Sequence, residues 1–244
     1  MLVTFIFNRP SRDYEQLLLV WKRSAQKYMP NVPREVVHLN PPPIDYRLSD
    51  ITHAFIAATD YAIAAKENII ITDVDVMFRG DMTTLFEKDF DVAITERKWI
   101  RPLSSGVWYC KNTPEAKEFI QLWKSETLRL DALLGNRTPE EKKMQKKYGG
   151  LDQASLASAL EKNKSANILF VPCAIYNAEQ SCWTHMHKNC KCVHIASKLR
   201  DRCLGIEKKT TNKKKKRFSK ERREKAQRRE EALRPLVAEW KSYL

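Results

Sequence analysis

Asp73 and Asp75 stand two residues apart just after a run of β-branched apolar residues, Ile69-Ile70-Ile71. Two carboxylates held so close repel each other unless a cation sits between them. Hard oxygen ligands suit Mg²⁺ or Mn²⁺, ions that keep open positions for the phosphates of a substrate. Much further on, His194 follows a second apolar stretch, with Lys198 four residues later. Alone, His194 reads as a buried structural histidine; its position after a strand, four before Lys198, favours a metal ligand beside Asp73 and Asp75 instead. An imidazole must be neutral to bind metal, so activity is expected to fall at acid pH. Other uses of the aspartates fit less well. A calcium loop needs oxygen ligands and a glycine where this chain has Met77 and Phe78. A phosphatase that phosphorylates a strand-end aspartate needs later acidic partners, which are not found. The remaining alternative is a turn with two solvated aspartates.

The elements around these residues alternate. Leu2 to Phe7 reads as a strand, broken by Asn8-Arg9-Pro10. Tyr14, Leu17, Leu18, Trp21 and Ala25 fall at helical spacing. Glu35 to Leu39 is a second strand, and Ile51, Phe55, Ala58 and Ala62 mark the buried stripe of a second helix. The isoleucine run then suits a strand buried on both faces. Residues two apart on an extended chain point to one side, which would let Asp73 and Asp75 face one point. Ligands of open α/β sheets gather at such carboxyl ends. Asp91 to Thr95 and Val107 to Cys110 read as strands. Between them Ser104-Ser105-Gly106 is either a close approach of backbone to ligand or an ordinary hairpin turn. Pro114 to Leu130 is an amphipathic helix. Asp131 to Tyr148, with Lys142, Lys143, Lys146 and Lys147, reads as a solvated surface helix, a mobile flap being the alternative. Gly149-Gly150 leads into a helix with Asp152 and Gln153 near its start, where a carboxylate suits the helix dipole. Ile168 to Val171 and Cys192 to Ile195 complete the strands.

A chain of 244 residues is long enough for one large α/β domain. Its formal charge of +14 is uneven: Lys208 to Arg229 holds 13 Lys or Arg against 2 Glu, which is +11 and leaves +3 for the rest. The expected division is therefore a body over 1–205 and a basic, partly helical extension over 206–244. Lys213, Lys214, Lys215, Lys216 and Arg217 are its densest part. Such a run binds nucleic acid through counterion release, or an anionic membrane surface. No signal peptide or membrane span is expected, and the location is read as cytoplasmic, that of a bacterial host if the gene is phage-borne. Cys182, His185, His187, Cys190 and Cys192 fall within eleven residues, a density that raises structural zinc. Their spacing matches no common finger, so a reduced, thiol-rich loop is preferred.

Several of these pieces, in this order, resemble the nucleotide-sugar glycosyltransferases of the GT-A fold, in particular the glycogenin-like and bacterial galactosyltransferase-like retaining group. They are the strand Leu2 to Asn8, Asp73-Val74-Asp75, Ser105-Gly106-Val107, Leu151-Asp152-Gln153, Pro172 to Asn177, and Val193-His194-Ile195 with Lys198. The resemblance implies an α/β fold with a mixed central sheet flanked by helices, here with a basic helical tail. It implies Mn²⁺ or Mg²⁺ at Asp73, Asp75 and His194, and a nucleotide-sugar donor, a UDP-sugar as first guess. Phe7, Asn8, Arg9, Thr72, Val74, Ser105, Gly106 and Lys198 would bind that donor. Asp152 or Gln153 would sit near the anomeric centre or hold sugar hydroxyls. Two departures stand out: Ser104 and Ser105 replace the usual Asn- or Asp-rich step, and Ala196-Ser197 replaces the usual Gly-Pro. With the basic tail, the expected acceptor is a hydroxymethylated pyrimidine in DNA. A surface polysaccharide or lipid at the membrane is the alternative. From another class, a nucleic-acid-binding module without catalysis remains a reading, against which the Asp73, Asp75 and His194 set argues.

Overall fold

Ile69-Ile70-Ile71-Thr72 forms strand β3, buried at all four positions. Both its neighbours are strands, which pairs its backbone on each edge: β1 (Leu2–Phe7) runs parallel to it and β6 (Leu103–Cys110) antiparallel. The structure, a computed structural model, describes residues 1–8, 12–41, 50–97, 102–133, 136–180, 182–183, 186–206 and 220–244. With β2 (Arg34–Leu39), β5 (Val92–Glu96) and β7 (Ile168–Pro172), these strands form a six-stranded mixed sheet in the order β2-β1-β3-β6-β5-β7. The chain leaves β1 for β2 on one side and returns to β3 on the other. That reversal makes a topological switch point at the carboxyl ends of β1 and β3, where ligands of α/β sheets bind. Phe7 and Asn8 end one strand; Thr72 and Asp73 end the other.

The chain divides into two compact units. The first comprises Met1–Pro10, Asn31–Val74 and Met82–Cys173, and holds the six-stranded sheet. Its helices are α2 (Asp50–Ala64), α3 (Pro114–Ala132), α4 (Pro139–Tyr148) and α5 (Leu151–Lys162). Trp123 of α3 is fully buried, with ring centroids 4.6 Å from Phe55 and 5.5 Å from Trp108. Aromatic side chains bury large areas, and each such burial contributes on the order of 1.5–3 kcal/mol. Ser104, Ser105 and Gly106 lie inside β6, so the hairpin reading is corrected. A register shift between Ile94 and Thr95 lets the β5–β6 ladder absorb the irregularity and continue.

The second unit comprises Ser11–Pro30, Asp75–Asp81 and Ala174–Leu244. It contains α1 (Arg12–Tyr28), the antiparallel pair β4 (Val76–Phe78) and β8 (Cys192–His194), α7 (Ser197–Cys203) and α8 (Lys220–Lys241). A four-residue helix α6 spans Cys173–Tyr176. Leu233, Leu236 and Trp240 of α8 are buried in one cluster with Met77, Val193 and Leu199. The helix runs through Pro235. Burial of the stripe on both sides of the proline holds it together, which outweighs the missing amide. Among the described residues no helix is long and apolar enough to cross a membrane.

Glu126 ties α3 to α5. Its buried carboxylate accepts from Lys162 Nζ at 2.6 Å and Ser158 Oγ at 2.7 Å, and pairs with Arg129 at 3.0 Å. Burial alone would raise its pKa, but the bonds from Lys162, Ser158 and Arg129 outweigh it and hold the carboxyl below its ordinary value. A lowered carboxylate pKa stabilises the fold above the unfolded-state pKa and loses that effect as pH falls through the folded one. Glu126→Gln should therefore lower stability by about 1–3 kcal/mol near pH 7. In urea titrations across a pH series, the gap to the parent protein should close below about pH 4. A gap independent of pH would exclude this account.

Candidate active site

Between β3 and β4 the backbone leaves the extended conformation at Asp73 and turns at Val74 and Asp75. The two aspartates therefore do not share a side through strand alternation, as expected; the turn brings them together. Asp73 stays on the register of β3, its amide donating to the Gly106 carbonyl at 2.8 Å. Asp75 directly precedes β4, which pairs with β8 so that Val76 faces His194 and the Ile195 amide donates to the Asp75 carbonyl at 2.6 Å. This ladder sets Asp75 and His194 side by side. Asp75 Oδ1 lies 3.1 Å from His194 Nε2. Asp73, two residues along the same turn, completes a group whose ligand atoms all lie within 4.8 Å of one another.

Asp75 is 4% exposed. A carboxylate so deeply buried is unfavourable unless paired. Its other oxygen accepts from the Arg200 guanidinium of α7. His194 Nδ1 lies 3.1 Å from Asn177 Oδ1, and Asn177 is fully buried. The Asn177 oxygen can only accept, so Nδ1 carries a proton, and in the neutral ring Nε2 turns its lone pair toward the Asp75 carboxylate. Lone pair against carboxylate is repulsive until a cation stands between them. Two carboxylates against one guanidinium also leave one negative charge while His194 is neutral. Two carboxylate oxygens and one imidazole nitrogen, with the imidazole oriented by a buried amide, fit a divalent ion such as Mn²⁺ or Mg²⁺. Asp73, Asp75 and His194 are the residues that could hold it.

The first unit carries the other candidates. The Ser105 hydroxyl donates to the Asp152 carboxylate. The Asp152 carbonyl accepts from the buried Trp123 indole at 2.9 Å. Gly149 ends α4 with a φ of 89°, a left-handed conformation that favours glycine. Gly150 bears on Asp152 in a different way: a Cβ there would meet Asp152 Oδ1 at 2.6 Å and displace that carboxylate. Asp152 and Gln153, half-buried at the head of α5, are thus placed by a glycine pair and a tryptophan. Ser105 sits one residue from Gly106, whose carbonyl binds Asp73. At the end of β1, Phe7 stacks on His53 with ring centroids 6.0 Å apart. The Asn8 side chain donates to Asn40 Oδ1 at 3.1 Å and contacts His38 Nδ1 at the same distance. Thr72 and Val74 are buried beside Asp73 in the chain.

Some predicted residues fall elsewhere. Lys198 lies in α7, but its side chain, with Arg9, His185 and Lys213 to Arg217, is outside the described residues. Of the proposed zinc cluster, Cys190 and Cys192 are buried and the Cys190 thiol donates to the Cys192 carbonyl at 3.3 Å. Among the described residues, Asp73, Asp75 and His194 form the group of three able to hold a metal. Arg200 and Asn177 are the residues that sequence reasoning missed as site members. Asn177 ended a recognised segment, and Arg200 lay two residues beyond Lys198, so each stood close to a signal.

Asn177→Ala should release the His194 ring and weaken Mn²⁺ binding by about 10–100-fold. Electron paramagnetic resonance of free Mn²⁺ during titration measures it directly, and unchanged affinity would remove Asn177 from the site.

A family model described as nucleotide-diphospho-sugar transferase matches residues 63–210, more than half of the chain. No curated protein matches the sequence. Among solved structures, the chain is similar to a glycosyltransferase involved in glycosylation of the major capsid of PBCV-1. The identity is 12% and the TM-score 0.53, over 84% of this chain and 98% of that one. It is similar to the glycosyltransferase GlyE of Streptococcus pneumoniae TIGR4 at 15% identity and TM-score 0.54, over 99% of this chain and 63% of that one. It is also similar to the galactosyltransferase LgtC, solved with donor and acceptor sugar analogs, at 11% identity and TM-score 0.51, over 100% and 99%. At such identities the likeness is one of fold, and that fold is GT-A.

Proposed function

The chain belongs to the nucleotide-diphospho-sugar transferase family, and from that premise we propose that it transfers a sugar from a nucleotide-diphosphate donor with a divalent cation held by Asp73, Asp75 and His194. The observation that supports this is the His194 imidazole, fixed by Asn177 with Nε2 3.1 Å from Asp75 Oδ1. When bound, the ion would supply positive charge to the departing diphosphate. In the transfer the bond from the anomeric carbon to the phosphate oxygen breaks, and its electron pair leaves with the diphosphate. The acceptor hydroxyl forms the new bond to carbon and gives up its proton.

The residues of the chain have separate tasks in this reading. Lys198 and Arg200, on one helix, add positive charge where the diphosphate leaves. Phe7, Asn8, Thr72 and Val74, at the switch point, would flank the nucleoside together with Arg9, and UDP is the first candidate. Ser105 and Gly106 support the sugar from β6. Asp152 and Gln153 hold its hydroxyls near the anomeric centre. The body over 1–205 performs transfer and the extension over 206–244 holds the acceptor, a hydroxymethylated pyrimidine in DNA in the cytoplasm. Lys213, Lys214, Lys215, Lys216 and Arg217 would neutralise its phosphates. A base in duplex would have to leave the stack to reach the donor, at a cost of a few kcal/mol.

Donor hydrolysis should require Mn²⁺ or Mg²⁺ and fall by orders of magnitude in Asp75→Ala. Full turnover in that variant with EDTA present would reject the metal role. For the acceptor, truncation is a poor test, because Leu233, Leu236 and Trp240 belong to the core of the second unit. Replacing Lys213 to Arg217 with glutamine is the cleaner change. Sugar incorporation into hydroxymethylated DNA should drop in that variant more than donor hydrolysis does. Incorporation into a polysaccharide or lipid acceptor, with none into DNA, would move the assignment to the alternative acceptor.

A further inference from the structure

Helix α4 presents Lys142, Lys143, Lys146 and Lys147 on one exposed face. Its opposite face is anchored. Met144 and Tyr148 pack against the core of the first unit. Thr138 and Glu141 form a reciprocal cap, with the Glu141 amide 3.2 Å from Thr138 Oγ1 and the Thr138 amide 3.0 Å from Glu141 Oε2. Glu141 is itself neutralised by Arg129 at 2.7 Å. Among the described residues, Lys142, Lys143 and Lys146 have no ion-pair partner, whereas Lys124 pairs with Asp60 and Lys162 with Glu126. Lys147 lies over the Tyr148 ring, 5.0 Å from its centroid.

The helix itself explains only half of this charge. Lys146 and Lys147 lie in the last turn, where cations complement the helix dipole. Lys142 and Lys143 stand in the first half, where the dipole gives them nothing. Each i,i+4 pair rises about 6 Å along the helix, near two phosphate steps of about 3.4 Å on one nucleic-acid strand. A membrane-binding helix would set apolar residues beside its lysines; here Met144 and Tyr148 face inward. The position also matters. α4 ends at Gly149, and Gly150 then seats Asp152 against Ser105, all within the first unit. We propose that the outer face of α4 is a docking surface for the phosphate backbone of a nucleic-acid acceptor, beside the sugar-side residues Asp152 and Gln153. This rests on the nucleic-acid acceptor named above, and it adds a phosphate-binding surface on the first unit that the basic extension does not provide.

The test compares three full-length proteins binding duplex DNA across a salt series. One is the parent. The second carries glutamine at Lys142, Lys143, Lys146 and Lys147. The third carries glutamine at Lys22, Lys66, Lys88 and Lys164, four exposed lysines outside α4, so that its net charge matches the second. The slope of log affinity against log salt should fall by roughly 0.9 for each phosphate that the α4 variant no longer neutralises, and by less than about one in the control. Lys142→Gln with Lys143→Gln should give about half the effect, and serves if the fourfold variant shows a lowered unfolding midpoint. Equal decreases in both variants, or parent-like binding by the α4 variant, would overturn the docking surface and leave the acceptor assignment standing. No DNA binding by the parent would overturn both. α4-dependent binding to vesicles of equal phosphatidylserine and phosphatidylcholine, or to an acidic polysaccharide, without DNA binding, would likewise reject the nucleic-acid partner.

Discussion

The buried negative charge of Asp75 is the constraint around which the second unit is arranged. A carboxylate this far from water needs positive or proton-donating partners, and removing any one leaves a costly remainder. β4 and β8 supply the frame by pairing Val76 with His194. α7 supplies the guanidinium of Arg200. Asn177 supplies the orientation of the imidazole. The cluster in Val193, Met77 and Leu199, shared with α8, keeps those pieces in register. Without the apolar packing the polar groups would have no reason to meet.

A parallel logic, without a buried charge at its centre, places Asp152 and Ser105 in the first unit. Trp123 fills the core and at the same time binds the Asp152 carbonyl. Gly150 leaves the space in which Asp152 can fold back toward its own helix start. The Glu126 network joins α3 to α5 below it, and through Arg129 reaches α4. Small shifts in that core would therefore move Asp152 directly.

The fold was legible where patterning was strong. Ile69 to Ile71 reads as a doubly buried strand, and the stripes of α2 and α3 read as helices, because apolar periodicity reports burial. Asp73, Asp75 and His194 were legible as a chemical set because their residue types and order carry meaning. Their local geometry was not. Alternation along a strand was the natural expectation, but the chain turns at Val74, and short turns with no glycine or proline leave little trace. Arg200 was invisible as a partner of Asp75 for a related reason. Periodicity shows which face of α7 is inward, not which distant atom a side chain reaches. At Pro235 the local signal of a helix breaker is overridden by tertiary burial of Leu233, Leu236 and Trp240.

The pairing of β4 with β8 has a consequence in time. Asp75 and Arg200 are 125 residues apart in the chain. Strands β1, β3, β5 and β6 can associate once the first half has been made, so a sheet with its switch point can exist early. The candidate cation site cannot, because its histidine, its asparagine and its arginine all emerge late. At a synthesis rate of about 5–20 residues per second, the emerging chain would spend several seconds with Asp73 and Asp75 already made and the rest of their site still to come. During that interval β4 lacks its only ladder neighbour among the described strands, and its Val76-Met77-Phe78 sequence is apolar. Nascent chains of this protein are thus most exposed to misassociation while the sheet is complete in outline but catalytically empty, and assistance by a chaperone would matter most there.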